Sequence, residues 1–125
     1  MKDNRSIGKN AEEAAVDFLR KSGYRIIKRN YRTRLGEIDI IAREKDTLCF
    51  IEVKSRSALS FGLPEEAVSL SKQRQLSKTA LVFLKETNSL TDKSRFDVIS
   101  IIGLPGQEKI ELIKNAFGLC PEFIY

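Results

Sequence analysis

Histidine and tryptophan are absent from these 125 residues, and there are only two cysteines, three prolines and one methionine. With no histidine, and with Cys49 and Cys120 lacking any metal-ligand spacing, a zinc site is not expected. The two thiols read as reduced, small apolar packing groups. Long apolar runs are also missing: nothing approaches the roughly eighteen residues of a membrane span. The polar start MKDNRSIGKN has no apolar centre of the kind a secretory signal needs. A cytoplasmic protein with no membrane partner is the expectation. The chain is 42% hydrophobic and 31% charged, with no internal repeat or low-complexity stretch. It is long enough for one core and too short for two ordinary domains, so residues 1–125 are expected to form a single domain, with a core over about 6–114 and a tail at 115–125.

Charge is unevenly spread. Residues 1–34 carry ten Lys/Arg against four Asp/Glu, a net +6, whereas residues 35–125 carry twelve against thirteen, a net −1. Arg25, Lys28, Arg29, Arg32 and Arg34 crowd one stretch that also holds Tyr24, Asn30 and Tyr31. Cations interleaved with aromatic and amide groups suit a phosphate backbone, while the bland reading is a solvated surface that keeps the chain soluble.

Ile7, Ala11, Ala14, Ala15, Phe18 and Leu19 recur at helical spacing before Gly23, predicting a helix over about 6–22. On it, Lys9 with Glu13 and Asp17 with Lys21 make outer i,i+4 pairs, whereas Glu12 falls at the edge of the apolar stripe. A short strand at Tyr24–Ile27 and an Arg-rich turn should follow, then strands at about Gly36–Arg43 and Thr47–Ser55. After the loop RSALSFGLPEEAVSL, a second helix is expected from Ser71, a possible N-cap, to Thr87, with Leu76, Ala80, Phe83, Leu84 and Gln73 inward and Lys72, Arg74 and Lys78 on an exposed basic edge. Strands at Arg95–Ile102 and near Lys109–Lys114, joined by the turn Leu104-Pro105-Gly106-Gln107, complete an α/β pattern, a mixed β-sheet flanked by α-helices.

The strand IEVKSR places Glu52 and Lys54 on one face. If Lys45-Asp46 is a two-residue hairpin loop, paired positions set Asp39 opposite Glu52 and Glu37 opposite Lys54, with Ile38, Ile40, Ile51 and Val53 as plain core on the other side. Two acids facing each other across a ladder repel, so a shared proton, a nearby cation or a divalent metal is required. An exposed charge ladder is the structural alternative.

Gly8-x-x-Ala-Glu12, Gly36-Glu37-Ile38-Asp39, Glu52-Val53-Lys54 with Ser55-Arg56, Lys72-Gln73-Arg74 and Arg95-Phe96-Asp97-Val98 together resemble the YraN family of bacterial proteins, over about Ile7 to Ile102. That family is similar to archaeal Holliday-junction resolvases and to the P-D-(D/E)-x-K nucleases, which have a restriction-endonuclease-like core. Ile38 stands where the superfamily motif has proline, and the acid itself, Asp39, is kept. The resemblance implies a metal-dependent endonuclease that hydrolyses phosphodiester bonds of DNA, with branched or junction DNA among its candidate substrates. Asp39 and Glu52 would hold Mg²⁺ or Mn²⁺, which takes few protein carboxylates and keeps waters and substrate oxygens. Lys54 would orient or deprotonate the attacking water or stabilise developing charge. Glu12 would add an acid to the metal's surroundings, and Gln73 would hold Lys54 or the phosphate. Arg25, Lys28, Arg29, Arg32, Arg34, Arg56, Lys72 and Arg74 would contact nucleic acid. Resolvases act as dimers, so a homodimer stays open. So do two other classes: a non-catalytic nucleic-acid-binding module, and an interaction scaffold using a sheet edge or the tail AFGLCPEFIY.

Overall fold

Ala11, Ala15, Val16 and Leu19 bury one stripe of a helix, α1 (Asn4–Lys21). Gly23 ends it in the left-handed region, φ 94°, and the Tyr24 N–H turns back to donate to the Leu19 carbonyl at 2.9 Å. The elements that follow are β1 (Arg25–Thr33), β2 (Gly36–Glu44), β3 (Thr47–Arg56), α2 (Leu70–Glu86), β4 (Lys93–Ile102) and β5 (Lys109–Phe117). This computed structural model describes residues 4–56, 68–103 and 107–119, with side chains described from Ala11 onward and that of Arg56 excepted. Cys120, most of the loop after Arg56, the 104–106 part of the expected turn and the end of the tail lie outside the described residues, as do the side chains of Ile7 and Lys9.

The five strands form one sheet in the order β1-β2-β3-β4-β5. Neighbours run antiparallel except β3 and β4, which are parallel because the chain returns to the sheet by way of α2. One helix covers each face. On the α1 side Ala15, Val16 and Leu19 pack on Ile40, Ala42, Cys49, Ile51, Ile99 and Ile101. On the α2 side Leu76, Ala80, Phe83 and Leu84 pack on Tyr31, Ile38, Ile41, Leu48, Phe50, Phe96 and Val98. The architecture is α/β, a mixed sheet between two helices. No helix among the described residues is long and apolar enough to cross a membrane.

Several boundaries differ from those read in the sequence. β1 runs through the stretch expected to be an Arg-rich turn, because an edge strand pairs on one side only and tolerates charge on its open flank. β5 continues to Phe117, three residues into the expected tail, where the Phe117 ring stacks on Phe96 at 4.9 Å between centroids. Ser69 rather than Ser71 caps α2, its hydroxyl accepting from the Lys72 N–H at 3.2 Å.

Two features shape the region of Asp39. A Cβ at Gly36 would meet Thr79 Oγ1 at 2.8 Å, so glycine there lets α2 settle against the start of β2. The second is a reversal of faces. Ile38 lies in the α2-side core and Ile40, two residues on, in the α1-side core, although a regular strand would put both on one side. Asn30, beside this point on β1, takes φ 52°. The expected apolar face of Ile38, Ile40, Ile51 and Val53 is therefore split: Ile38 faces α2 and the other three face α1.

Candidate active site

The hairpin register is the expected one for five pairs, from Glu44↔Thr47 to Ile40↔Ile51. There the ladder stops. Asp39 turns its side chain toward β3, and Oδ2 accepts the Val53 N–H at 2.9 Å, doing the work of a missing backbone carbonyl. Glu37 does not face Lys54; it pairs with Arg32 on β1 at 3.3 Å. Face reversal at Asp39 is the physical reason, since a register continued past that point no longer predicts which way side chains point.

Glu52 continues the alternation of Leu48 and Phe50 onto the α2 side, into a position otherwise apolar. Its side chain is 7% exposed, and among the described residues no N–H or hydroxyl donor reaches Oε2. Burial first, and then the negative charge of Asp39 beside it, push the Glu52 carboxyl up to about 7 against the opposing pull of Lys72 and Lys54. Lys54 Nζ lies 3.9 Å from Glu52 Oε1, and Lys72 Nζ lies 4.0 Å from Oε2. Next to Lys54 in the parallel β3/β4 ladder is Ser100, whose buried hydroxyl also has no partner among the described residues. Glu52, Lys54, Lys72 and Ser100 thus form a polar gap in an apolar sheet face, with Asp39 at its rim.

Lys72 corrects the sequence reading. It was expected on an exposed edge with Arg74 and Lys78; those two are exposed, but Lys72 is half-buried and directed at Glu52. A four-carbon stem lets the ammonium reach a site its Cα does not face. Ser100 was not singled out at all, and the one signal for it was a hydroxyl inside the apolar run Phe96–Ile102.

Glu12 arrives from the other face. It lines a cavity of about 280 Å³ together with Ala11, Asn30, Glu37, Asp39, Val53 and Ser55. Its Oε1 accepts from Arg29 Nε at 3.3 Å and from Asn30 Nδ2 at 3.0 Å. Three acids, Glu12, Glu37 and Asp39, line this cavity, while Asp39 and Glu52 adjoin across the strand gap. Among the described residues no three Asp, Glu or Cys side chains gather closely enough to hold a metal by themselves. Gln73, half-buried, donates its amide to the Val68 carbonyl at 3.0 Å, and so braces the start of α2.

The basic stretch divides. Arg25, Lys28, Arg32 and Arg34 are exposed along the edge strand and its turn. Arg29 instead ties β1 to α1, its NH2 group donating to Glu13 at 2.7 Å, and the Glu13 carboxylate holds the guanidinium above its ordinary range. Glu13 is also the expected partner of Lys9, whose side chain lies outside the described residues. Tyr24 and Tyr31, read as aromatics interleaved with the basic groups, are both buried. Tyr31 packs edge-on against Phe83 and donates to Glu86 at 2.8 Å. Tyr24 joins a second polar cluster, in which Asp97, fully buried, accepts from Arg95 Nε at 2.9 Å, from the Tyr24 hydroxyl at 3.2 Å and from the Asn115 N–H at 2.9 Å. Arg95 and Lys114 each donate to Glu44 at 2.7 Å. The Arg95-Phe96-Asp97-Val98 stretch is thereby a fastening between strands, not part of the Asp39 site.

Among proteins similar to this chain are a UPF0102 protein of Caldicellulosiruptor saccharolyticus, 45% identical over 92% of this chain and 99% of its own length, and a UPF0102 protein of Desulfosudis oleivorans, 47% identical over 88% of each. The solved structure of Pyrococcus furiosus SfsA in complex with Ca²⁺ is similar at 16% identity and a TM-score of 0.41, over 90% of this chain, which spans 64% of that one; so distant a likeness has no bearing on the site. The profile described as "Uncharacterised protein family UPF0102" matches residues 11–101, most of the chain, a span that includes Glu12, Asp39, Glu52, Lys54, Lys72 and Gln73. The chain belongs to that family, the YraN family its motifs resemble.

Proposed function

We propose that the protein is a divalent-metal-dependent endonuclease acting on DNA, with Asp39 and Glu52 at its centre. The observation that carries this reading is the buried Glu52 carboxylate with an unpartnered oxygen beside a second acid. Such an oxygen is costly to bury, and two adjacent acids with lysines about them are a donor set suited to a hard cation. Mg²⁺ or Mn²⁺ fits because it needs only one or two protein carboxylates, which agrees with an incomplete trio here. When bound, the cation supplies charge stabilisation for the phosphoryl oxygens and acidifies water.

The chain's own residues account for the rest. Asp39 and Glu52 would hold the cation, and the Asp39–Val53 hydrogen bond sets the orientation of one of them. Lys54, its ammonium beside Glu52, would stabilise negative charge developing on the phosphate and fix the water's position. Glu12, steadied by Arg29 and Asn30, would order water in the cavity it shares with Asp39. Exposed Arg25, Lys28, Arg32 and Arg34 would take up the phosphate backbone. A mixed sheet with a helix on each face is also what a restriction-endonuclease-like core requires.

A second reading, a nucleic-acid-binding module without turnover, is favoured by the engagement of Glu12 with Arg29 and Asn30 and by the lack, among the described residues, of three acids close enough to hold a metal. The deciding experiment is cleavage of linear, single-stranded, flap and four-way DNA with Mg²⁺, with Mn²⁺ and with chelator, using wild type, Asp39→Asn and Glu52→Gln. Metal-dependent cleavage lost in both variants is expected. A homogeneous wild-type preparation inactive on every substrate with both metals would move the assignment to the binding module.

A further inference from the structure

On the α2 side of the sheet, side chains of β3, β4 and β5 line up in rows. Phe50, Phe96 and Phe117 form one, and the next opens with Glu52 beside Val98. One step further on, Lys54 pairs with Ser100, and Ser100 with Glu111. Ile99 and Ile101 lie in the α1-side core, so Ser100 between them faces α2, as Phe96 and Val98 do. Ile110 and Leu112, packed on the α1-side core, set Glu111 on the α2 side in the same way. The face thus passes from aromatic rings to a row made of a cation, a hydroxyl and an acid.

The middle member of that row is out of place on grounds of stability. Ser100 is fully buried, and its hydroxyl has no partner among the described residues. A buried hydroxyl without a hydrogen bond is costly, and alanine at this position would avoid the cost. The neighbours give the hydroxyl a direction. Lys54 on one side attracts the oxygen lone pairs, and the Glu111 carboxylate on the other, itself 3.3 Å from Lys109, attracts the proton. Ser100 is thereby turned as an acceptor toward Lys54. An ammonium has three N–H donors to place, and the 3.9 Å separation of Lys54 Nζ from Glu52 Oε1 is an ion pair too long for a hydrogen bond. A lysine stem readily spans the roughly 4.8 Å between adjacent strands.

We propose that Ser100 is a positioning residue for Lys54, its hydroxyl accepting one ammonium N–H once the charge of Glu52 is taken up by a cation. While Glu52 is ionised and unshared, its charge holds Lys54; with that charge neutralised, the ammonium is released to the acceptor beside it. One N–H fixed on Ser100 sets the direction of the other two, toward water and phosphate oxygens. The part Ser100 plays in turnover rests on the nuclease reading, whereas the contact itself rests on the row of Lys54, Ser100 and Glu111 and needs only the cation.

Three measurements on wild type, Ser100→Ala and Ser100→Thr test this. In chelator, Ser100→Ala should melt at the temperature of wild type or above it, since it removes an unpaired buried hydroxyl; a clearly lower melting temperature would make Ser100 a structural residue and overturn the proposal. In ¹⁵N–¹H spectra of the lysine side chains, Mg²⁺ should bring up a slowly exchanging ammonium signal in wild type and Ser100→Thr, absent from Lys54→Met and lost in Ser100→Ala. No such signal in wild type, or an equal one in Ser100→Ala, overturns the contact. Single-turnover cleavage at saturating DNA should slow about tenfold in Ser100→Ala, with DNA affinity unchanged, and be kept in Ser100→Thr. Wild type and Ser100→Ala cleaving equally fast would sink the positioning role and leave the nuclease reading standing. If wild type cleaves nothing, the nuclease reading fails, and the Mg²⁺-dependent ammonium signal alone decides whether Ser100 holds Lys54.

Discussion

Glu52 concentrates most of the site's physics in one side chain. Its carboxyl titrates near 7 when folded, against 4.5 for the ordinary group, chiefly because it is buried and next because Asp39 is beside it. A folded pKa raised above the unfolded one means that the native state binds the proton more tightly. In the metal-free protein the contribution of Glu52 to stability should therefore be fully present below about pH 4.5 and be lost as pH rises through about 7, an amount on the order of 3 kcal/mol. Urea unfolding in chelator at a series of pH values checks this, and Glu52→Gln should remove that part of the slope. Asp39→Asn deletes the second cause, so at neutral pH the metal-free variant should match or exceed wild type in melting temperature while losing the rise that Mg²⁺ or Mn²⁺ gives the wild type. A wild type indifferent to metal, with a clearly weakened Asp39→Asn, would make the pair structural. Cys49, pushed up to about 11 by burial and then by Asp97, should resist alkylation in the folded state.

At the level of elements, two joints hold the site in place. Gly36 admits α2 against β2, and an added methyl would press on Thr79 Oγ1 and on Gln75. Gly36→Ala should cost about 1–3 kcal/mol in denaturant unfolding, the usual penalty of overpacking, and shift the α2 end that carries Lys72. Asp97 is the other joint. It binds β5 through the Asn115 N–H, the α1–β1 turn through Tyr24 and its own strand through Arg95. Asp97→Ala leaves Arg95 with Glu44 as its carboxylate partner beside the Tyr24 hydroxyl, and strips the Asn115 N–H of its acceptor, so a loss of about 3–5 kcal/mol is expected. Because this cluster is fully folded into the sheet, milder variants such as Tyr24→Phe should lower stability by about 1 kcal/mol without altering the metal response.

For the molecule as a whole, the basic excess lies on an edge. β1 pairs with β2 alone, and its charged side chains both discourage edge-to-edge association and present cations to a polyanion. Arg29 belongs to the fold through Glu12 and Glu13, and Arg32 is partly matched by Glu37. The binding test accordingly belongs to Arg25, Lys28 and Arg34. Reversing all three should leave the fold intact and weaken DNA binding, with the salt slope falling by about 0.9 for each phosphate no longer neutralised. An unchanged slope in fluorescence anisotropy would take the strand edge out of the interface.

What the residues alone determined is local. Apolar spacing of three and four placed both helices, and a two-residue loop between alternating strands set the register that brings Asp39 toward Glu52. These depend on neighbours a few positions apart, which is why they were legible. What tertiary structure decided depends on groups distant in the chain. β1 is extended because β2 pairs with it, Tyr24 and Tyr31 are buried because α2 and the β4–β5 pair close over the sheet, and Arg29 is neutralised because α1 lies beside it. The face reversal at Asp39 and the aim of Lys72 at Glu52 come from packing α1 and α2 on opposite sides of one sheet, and no periodicity within a single strand or helix encodes them.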